Sequence, residues 1–188
     1  MVGLPRPPFS HLDRPCWRLV SGGPDPLASL LPGGSASATA IKLRQRRMGT
    51  HTVGRFNPGV ADVLYLGFAQ ATCRAECVHH WTRIILDTGA ALAPGDSVTG
   101  RFRLYRVNGL FADIRAGFDA FQRPGLETYP HCQRLAMSLV AEGRVDGILY
   151  RSARLAGGTC VAAWAQDRCE WLRDSGTARL TWDGKTLH

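Results

Sequence analysis

Only two stretches of this chain carry a sustained helical spacing of apolar residues, and that scarcity limits its architecture more than any other feature. The first runs over residues 71–86, with Ala71, Ala75, Val78 and Ile85 as its apolar positions, and closes at Asp87-Thr88-Gly89. The second opens at Tyr129-Pro130, where proline suits an early helical position. It sets Leu135, Ala136, Leu139 and Val140 on one stripe and ends at Gly143. Around them lie short apolar runs bounded by turn residues, which read as strands: 16–20, 63–68, 98–104, 110–114, 147–150, 159–165 and a less regular 178–182. Asn108-Gly109 is a favoured hairpin turn and predicts that 98–104 and 110–114 pair. A doubly wound parallel sheet needs a helix after nearly every strand, so the pattern predicts a mixed α+β domain.

The 188 residues suit one domain. At about 150 residues a folded chain buries roughly 68–70% of its unfolded surface, so no metal or disulfide staple is required. Four prolines make residues 1–15 an extended lead-in to a domain spanning 16–188. Residues 21–40, rich in Gly, Pro, Ser and Ala, read as a loop with a short helix over 26–31.

No run approaches the roughly 18–20 apolar residues that cross a bilayer. The first residues also lack the apolar core and cleavage site of a secretory signal. The expected location is therefore cytoplasmic, with Cys16, Cys73, Cys77, Cys132, Cys160 and Cys169 reduced. The net charge of +8 is almost entirely arginine, since only Lys42 and Lys185 are lysines. Apart from a short cluster at Arg44, Arg46 and Arg47, the arginines are dispersed. Guanidinium favours bidentate contact with phosphate or carboxylate. The excess thus fits a phosphate-bearing small ligand or an acidic protein partner at least as well as DNA.

Familiar phosphate and hydrolase motifs are missing. Gly184-Lys185-Thr186 resembles the end of a P-loop, but Arg179 occupies the position of the required glycine. Neither G-x-G-x-x-G, H-E-x-x-H nor G-x-S-x-G occurs. Cys73, Cys77 and His80 share a helix face, yet no fourth ligand is apparent, and no metal is expected.

What remains is a set of polar residues in turn and strand settings. Glu76 sits among small and apolar neighbours, where an isolated carboxylate is costly unless exposed or partnered. Its ordinary alternative is a surface pair with Arg74, Arg83 or His80. For Ser152 the alternative is turn capping, for Arg154 a salt bridge, and for Tyr150 a core aromatic.

The order Trp17-Arg18, Gly54-Arg55-Phe56-Asn57 with Leu64-Tyr65-Leu66, Ala75-Glu76, then Gly147-Ile148-Leu149-Tyr150 with Ser152-Ala153-Arg154 resembles the RES-domain family. That family is named for its Arg, Glu and Ser residues. The match spans about 16–165 and takes in the helix around Gln133, Leu135 and Ala136. One departure is Leu19, where some relatives carry an aromatic residue directly after the first arginine.

The resemblance implies a fold like that of ADP-ribosyltransferases and the toxin of a bacterial toxin–antitoxin pair acting on NAD⁺. It implies Glu76, Arg55 and Ser152 as catalytic residues, and Arg18, Arg55, Tyr65, Tyr150 and Arg154 as NAD⁺-binding ones. NAD⁺ is then substrate, with no separate cofactor. The implied partner is an Xre-type helix-turn-helix antitoxin, through which DNA is reached, in a complex that can hold a toxin homodimer.

These residue types suit that chemistry. Breaking the nicotinamide–ribose bond develops oxocarbenium character, as in glycoside cleavage. Glu76 can stabilise that charge, the arginines can clamp the pyrophosphate, Tyr65 can stack on nicotinamide, and Ser152 can orient Glu76 or the ribose. Many protein-modifying ADP-ribosyltransferases carry Glu or Gln two residues before the catalytic glutamate; here Arg74 stands there. The pattern therefore favours consumption of free NAD⁺. Protein ADP-ribosylation is the alternative chemistry, and a basic nucleic-acid-binding or inactive binding module the alternative of another class.

Overall fold

The longest strand organises the molecule. The computed structural model describes residues 6–21, 54–59 and 63–188. Strand β1 (Phe9–Ser21) pairs antiparallel along nearly its whole length with β3 (Ser97–Asp113), from Phe9 opposite Ala112 to Ser21 opposite Gly100. Strand β2 (Leu64–Gly67) pairs with β5 (Thr159–Ala163), β5 with β4 (Gly147–Arg151), and β4 in parallel with the end of β3. Because β1 also meets β2 at Trp17 and Gly67, these five strands close into a ring. Strand β6 (Cys169–Thr181) lies on the outer edge of β3. Helices α1 (Gln70–Thr88) and α2 (Tyr129–Glu142) complete a single α+β domain, both ending on a left-handed glycine, Gly89 and Gly143.

The core follows from this closure. All five ring strands supply Leu12, Cys16, Leu66, Val107, Phe111, Leu149 and Val161 to one cluster, which is the interior of the ring. Alternate residues of β4 and β5, including Ile148, Tyr150, Cys160 and Ala162, pack outward under Leu135, Ala136 and Leu139 of α2. Strand β4 is thus buried on both faces, which is why Gly-Ile-Leu-Tyr reads as an unbroken apolar run. The third cluster joins Trp81, Ile84 and Ile85 of α1 to Leu19, Val98, Phe102 and Leu180.

Several expectations are corrected. The end of the 1–15 lead-in is strand: β1 begins at Phe9, held by its ladder with β3. Asn108-Gly109 makes no hairpin, since β3 runs straight through it. The glycine serves close approach instead: a Cβ at Gly109 would fall 2.5 Å from Asp146 Oδ2, which accepts the Leu110 N–H at 2.7 Å. The 178–182 strand begins at Cys169, and its exposed outer face hides it from an apolar pattern. The buried side of α1 carries Thr72, Cys73, Trp81, Thr82, Ile84 and Ile85, while Ala71 is exposed. In α2, Cys132 is buried and Val140 is exposed. The short helix expected over 26–31 and the arginine cluster at 44–47 lie outside the described residues.

At Gly147 a Cβ would press on the Ala162 carbonyl oxygen and lie 2.7 Å from the Phe111 ring. Overpacking of this kind costs about 1–3 kcal/mol, so Gly147→Ala is expected to lower the urea midpoint accordingly with an unchanged m-value. Asp113 is held below its ordinary pKa first by hydrogen bonding to the Arg115 guanidinium, with the Ser10 hydroxyl also donating to it at 3.1 Å. Its folded pKa being depressed, its contribution is complete above the unfolded value near 3.8 and is lost as pH falls through the folded one. Asp113→Asn is expected to flatten the acid limb of a stability–pH curve in that window.

Candidate active site

Helix α1 is set against β1 by two thiols. Cys73 Sγ donates to the Trp17 carbonyl at 2.8 Å and Cys77 Sγ to the Leu19 carbonyl at 3.5 Å. Four helical residues rise about 6 Å and two strand residues about 6.6 Å, so the i, i+4 thiols match alternate carbonyls of the strand edge. Burial pushes both thiols up to about 12. These cysteines are therefore structural. Among the described residues no group of three His, Cys, Asp or Glu side chains is placed to hold a metal.

This seating carries Glu76, the residue before Cys77, to the turn that leaves β4. There the Ser152 hydroxyl donates to Glu76 Oε1 at 2.6 Å while its oxygen accepts the N–H groups of Arg154 at 3.1 Å and Leu155 at 3.0 Å. The Ser152 N–H closes the turn onto the Gly158 carbonyl at 2.8 Å. Turn capping and orientation of Glu76 are thus done by one hydroxyl at once. Of the surface pairs considered for Glu76, Arg83 faces Asp87 instead at 3.6 Å, and Arg74 is exposed. Cys160 Sγ approaches the same Glu76 oxygen at 4.0 Å, and burial first, then that carboxylate, raises its pKa.

A second group comes from the segment before β2. Gly54 and Asn57 exchange backbone hydrogen bonds of 2.8 and 3.2 Å, leaving Arg55 and Phe56 at the tip of a tight turn. Gln133 of α2 donates to the Gly54 and Asn57 carbonyls, and the Tyr65 hydroxyl accepts the Phe56 N–H at 3.0 Å. Arg55 is only 8% exposed. Its Nη1 donates to the Phe121 carbonyl at 3.2 Å and its guanidinium lies 5.7 Å from the Tyr129 ring centre. Among the described residues no carboxylate neutralises it. A buried cation without a counter-ion is costly, and an anion beside it would offset that cost. Its positive charge acts on Tyr65, Tyr150, Cys160 and His79, so the turn and the Glu76 cluster adjoin.

The remaining expected residues fall into place around these two groups. Tyr150 is buried with its ring 4.8 Å from that of Phe56, so it backs the site from the core. Burial raises the Tyr65 phenol, whose hydroxyl steadies the turn. Arg18 projects from β1 opposite Arg103, near Cys77, and makes no hydrogen bond or ion pair with a described residue. Arg154 forms no salt bridge with a described residue; its Nη2 lies 2.7 Å from His79 Nε2. His79 is the residue that motif reading missed. Its signal was spacing, three positions after Glu76 and so on the same helix face. Burial, then the Arg154 charge, lowers its pKa to about 4, which keeps the ring neutral near pH 7.

No curated protein sequence matches the chain. Among solved structures it is similar to a chain of the M. tuberculosis MbcT–MbcA toxin–antitoxin complex, with a TM-score of 0.56 and 15% identity over 92% of this chain and 87% of that one. At that identity the likeness is one of fold. The family model of the RES domain matches residues 15–183, from β1 to beyond β6 and across every segment that contributes to the site. With so nearly complete a match, the chain belongs to the RES-domain family.

Proposed function

We propose that this protein consumes NAD⁺ by cleaving its nicotinamide–ribose bond, and that it is the toxin of a toxin–antitoxin pair. The observation that supports the chemistry is the convergence of a carboxylate, its hydroxyl partner and unneutralised guanidiniums from three distant segments: Glu76 with Ser152 at 2.6 Å, beside Arg154 and the buried Arg55. NAD⁺ brings a dianionic pyrophosphate for the guanidiniums and a ribose whose anomeric carbon gains positive charge as nicotinamide leaves. The ribose–nitrogen bond breaks with its electron pair going to the nicotinamide ring. Water completes the reaction to ADP-ribose and a proton, or inorganic phosphate to the corresponding sugar phosphate.

In this reading Glu76 faces the ribose and stabilises the oxocarbenium-like transition state, where a placed charge acts most strongly. The Ser152 hydroxyl spends its proton on Oε1 and leaves Oε2 for substrate. Arg55, Arg154 and Arg18 take the phosphates, and Tyr65 offers a ring to nicotinamide. The toxin role rests on the family and on the likeness to the MbcT–MbcA complex. An Xre-type antitoxin as partner, DNA contact through that partner, a toxin dimer within the complex, kinship with ADP-ribosyltransferases and a cytoplasmic site of action belong to the same proposal.

The test is nicotinamide release from NAD⁺ by the purified chain, with and without phosphate. Glu76→Gln is expected to lower kcat by roughly 10²–10³, the usual cost of one placed electrostatic group. Ser152→Ala, which leaves the carboxylate in place, is expected to cost about tenfold. Release that survives Glu76→Gln undiminished would overturn the assignment. Expression of the chain alone is expected to arrest growth and deplete cellular NAD⁺, with both effects abolished by Glu76→Ala. Arrest with NAD⁺ unchanged and an ADP-ribosylated protein seen by mass spectrometry would move the acceptor from water or phosphate to a protein side chain.

A further inference from the structure

Two side-chain hydrogen bonds tie α1 to the turn after β4. One joins Glu76 to Ser152 at 2.6 Å, and the other joins His79 Nε2 to Arg154 Nη2 at 2.7 Å. Residues 76 and 79 lie one helical turn apart on the same face, and 152 and 154 lie two apart in the turn, so the bonds form adjacent rungs. A guanidinium has donors only. His79 Nε2 is therefore the acceptor, and the imidazole proton resides on Nδ1. Arg154 is held at both ends, its backbone N–H by Ser152 Oγ at 3.1 Å and its guanidinium by His79. No carboxylate among the described residues competes for that guanidinium.

We propose that His79 is a positioning residue, a neutral acceptor that fixes the Arg154 guanidinium beside Glu76 so that its remaining N–H groups meet a substrate phosphate while Glu76 meets the ribose. The inference rests on the NAD⁺ reading above and assigns a role to a residue outside the family's named set. The charges that most lower the imidazole pKa are Arg154 from the turn after β4, Arg83 and His80 from its own helix, and Arg55 from the turn before β2, while Glu76 is the carboxylate on the same helix face one turn away. Together with burial, the first cause, those charges hold it neutral to about pH 4. Only below that does an imidazolium N–H face a guanidinium N–H, and the rung opens.

Two measurements on the whole chain test this. In a nitrogen NMR titration, His79 is expected as the Nδ1–H tautomer, taking up its second proton near pH 4 in wild type and nearer the ordinary 6.5 in Arg154→Ala. In steady-state nicotinamide release, His79→Ala is expected to raise KM for NAD⁺ roughly tenfold with kcat within about twofold, the scale of one charge-assisted contact. His79→Gln, whose amide oxygen can accept from Arg154, is expected to restore KM and to lack the rise in KM that wild type shows toward pH 4. A proton on Nε2 or titration near 6.5 in wild type overturns the rung itself. An intact rung with KM unmoved in His79→Ala overturns the positioning role. If wild type shows no Glu76-dependent release, the NAD⁺ reading has failed and the phosphate role falls with it, while the titration still decides whether the rung exists.

Discussion

The seating of α1 on β1 at Trp17 and Leu19 is the constraint from which the site is built. Strand β1 ladders with β3 and touches β2 at Trp17, and its Trp17 and Leu19 carbonyls accept hydrogen bonds from α1. A helix has no backbone N–H groups to spare along its middle, and α1 donates instead through side-chain thiols at the pitch of the strand. Helix rotation about its axis is thereby settled. Glu76 and His79 then face the turn after β4. Replacing either thiol by a larger side chain would move the carboxylate by displacing the helix that bears it.

Charge is distributed unevenly around that carboxylate. Arg55 is buried against a carbonyl and an aromatic ring, Arg154 is fixed by a neutral imidazole, and Arg18 stands against Cys77. Elsewhere several arginines are paired with acids at the surface, as Arg106 is with Asp13 at 3.0 Å and Arg101 with Asp174 at 2.9 Å. Exposed pairs of this kind contribute little to stability. Guanidiniums that no described carboxylate pairs give the surroundings of Glu76 a positive potential suited to a polyanionic ligand. The dispersed arginine excess of the sequence thus divides into a solvated majority and a small group around Glu76.

How much of this was legible in the sequence depended on whether a residue's task was local. Strands β2 and β4 announced themselves because burial on both faces leaves an unbroken apolar run. The ends of α1 and α2 were marked by Gly89 and Gly143, whose left-handed backbone is a local requirement. Glu76 and Ser152 could be read through ordered motifs, and Ser152 also through its own turn. Asn108-Gly109 misled because Gly109 makes room for Asp146, thirty-six positions from its hydrogen-bond partner Leu110. The buried face of α1 was misplaced because cysteine and threonine, rather than apolar residues, carry part of it. The Arg154 partnership of His79 is a tertiary fact, and Gln133 shows its purpose only once the Gly54–Asn57 turn is beneath it.

Strand β6 closes the sheet on its outer side without offering it for further growth. Its register slips against β3 at two places, between Arg101 and Arg103 and between Leu104 and Tyr105, and Gly176 turns left-handed within the first of them. Such bulges bend a strand away from the flat, evenly spaced row of donors and acceptors that another chain would need as a template. With Glu170, Arg173, Asp174 and Arg179 spread along it, the last strand resists cross-β stacking although it exposes Trp171 and Leu172. The exposed, charged strand that an apolar pattern failed to reveal is, for the same reason, a poor template for another chain at this edge.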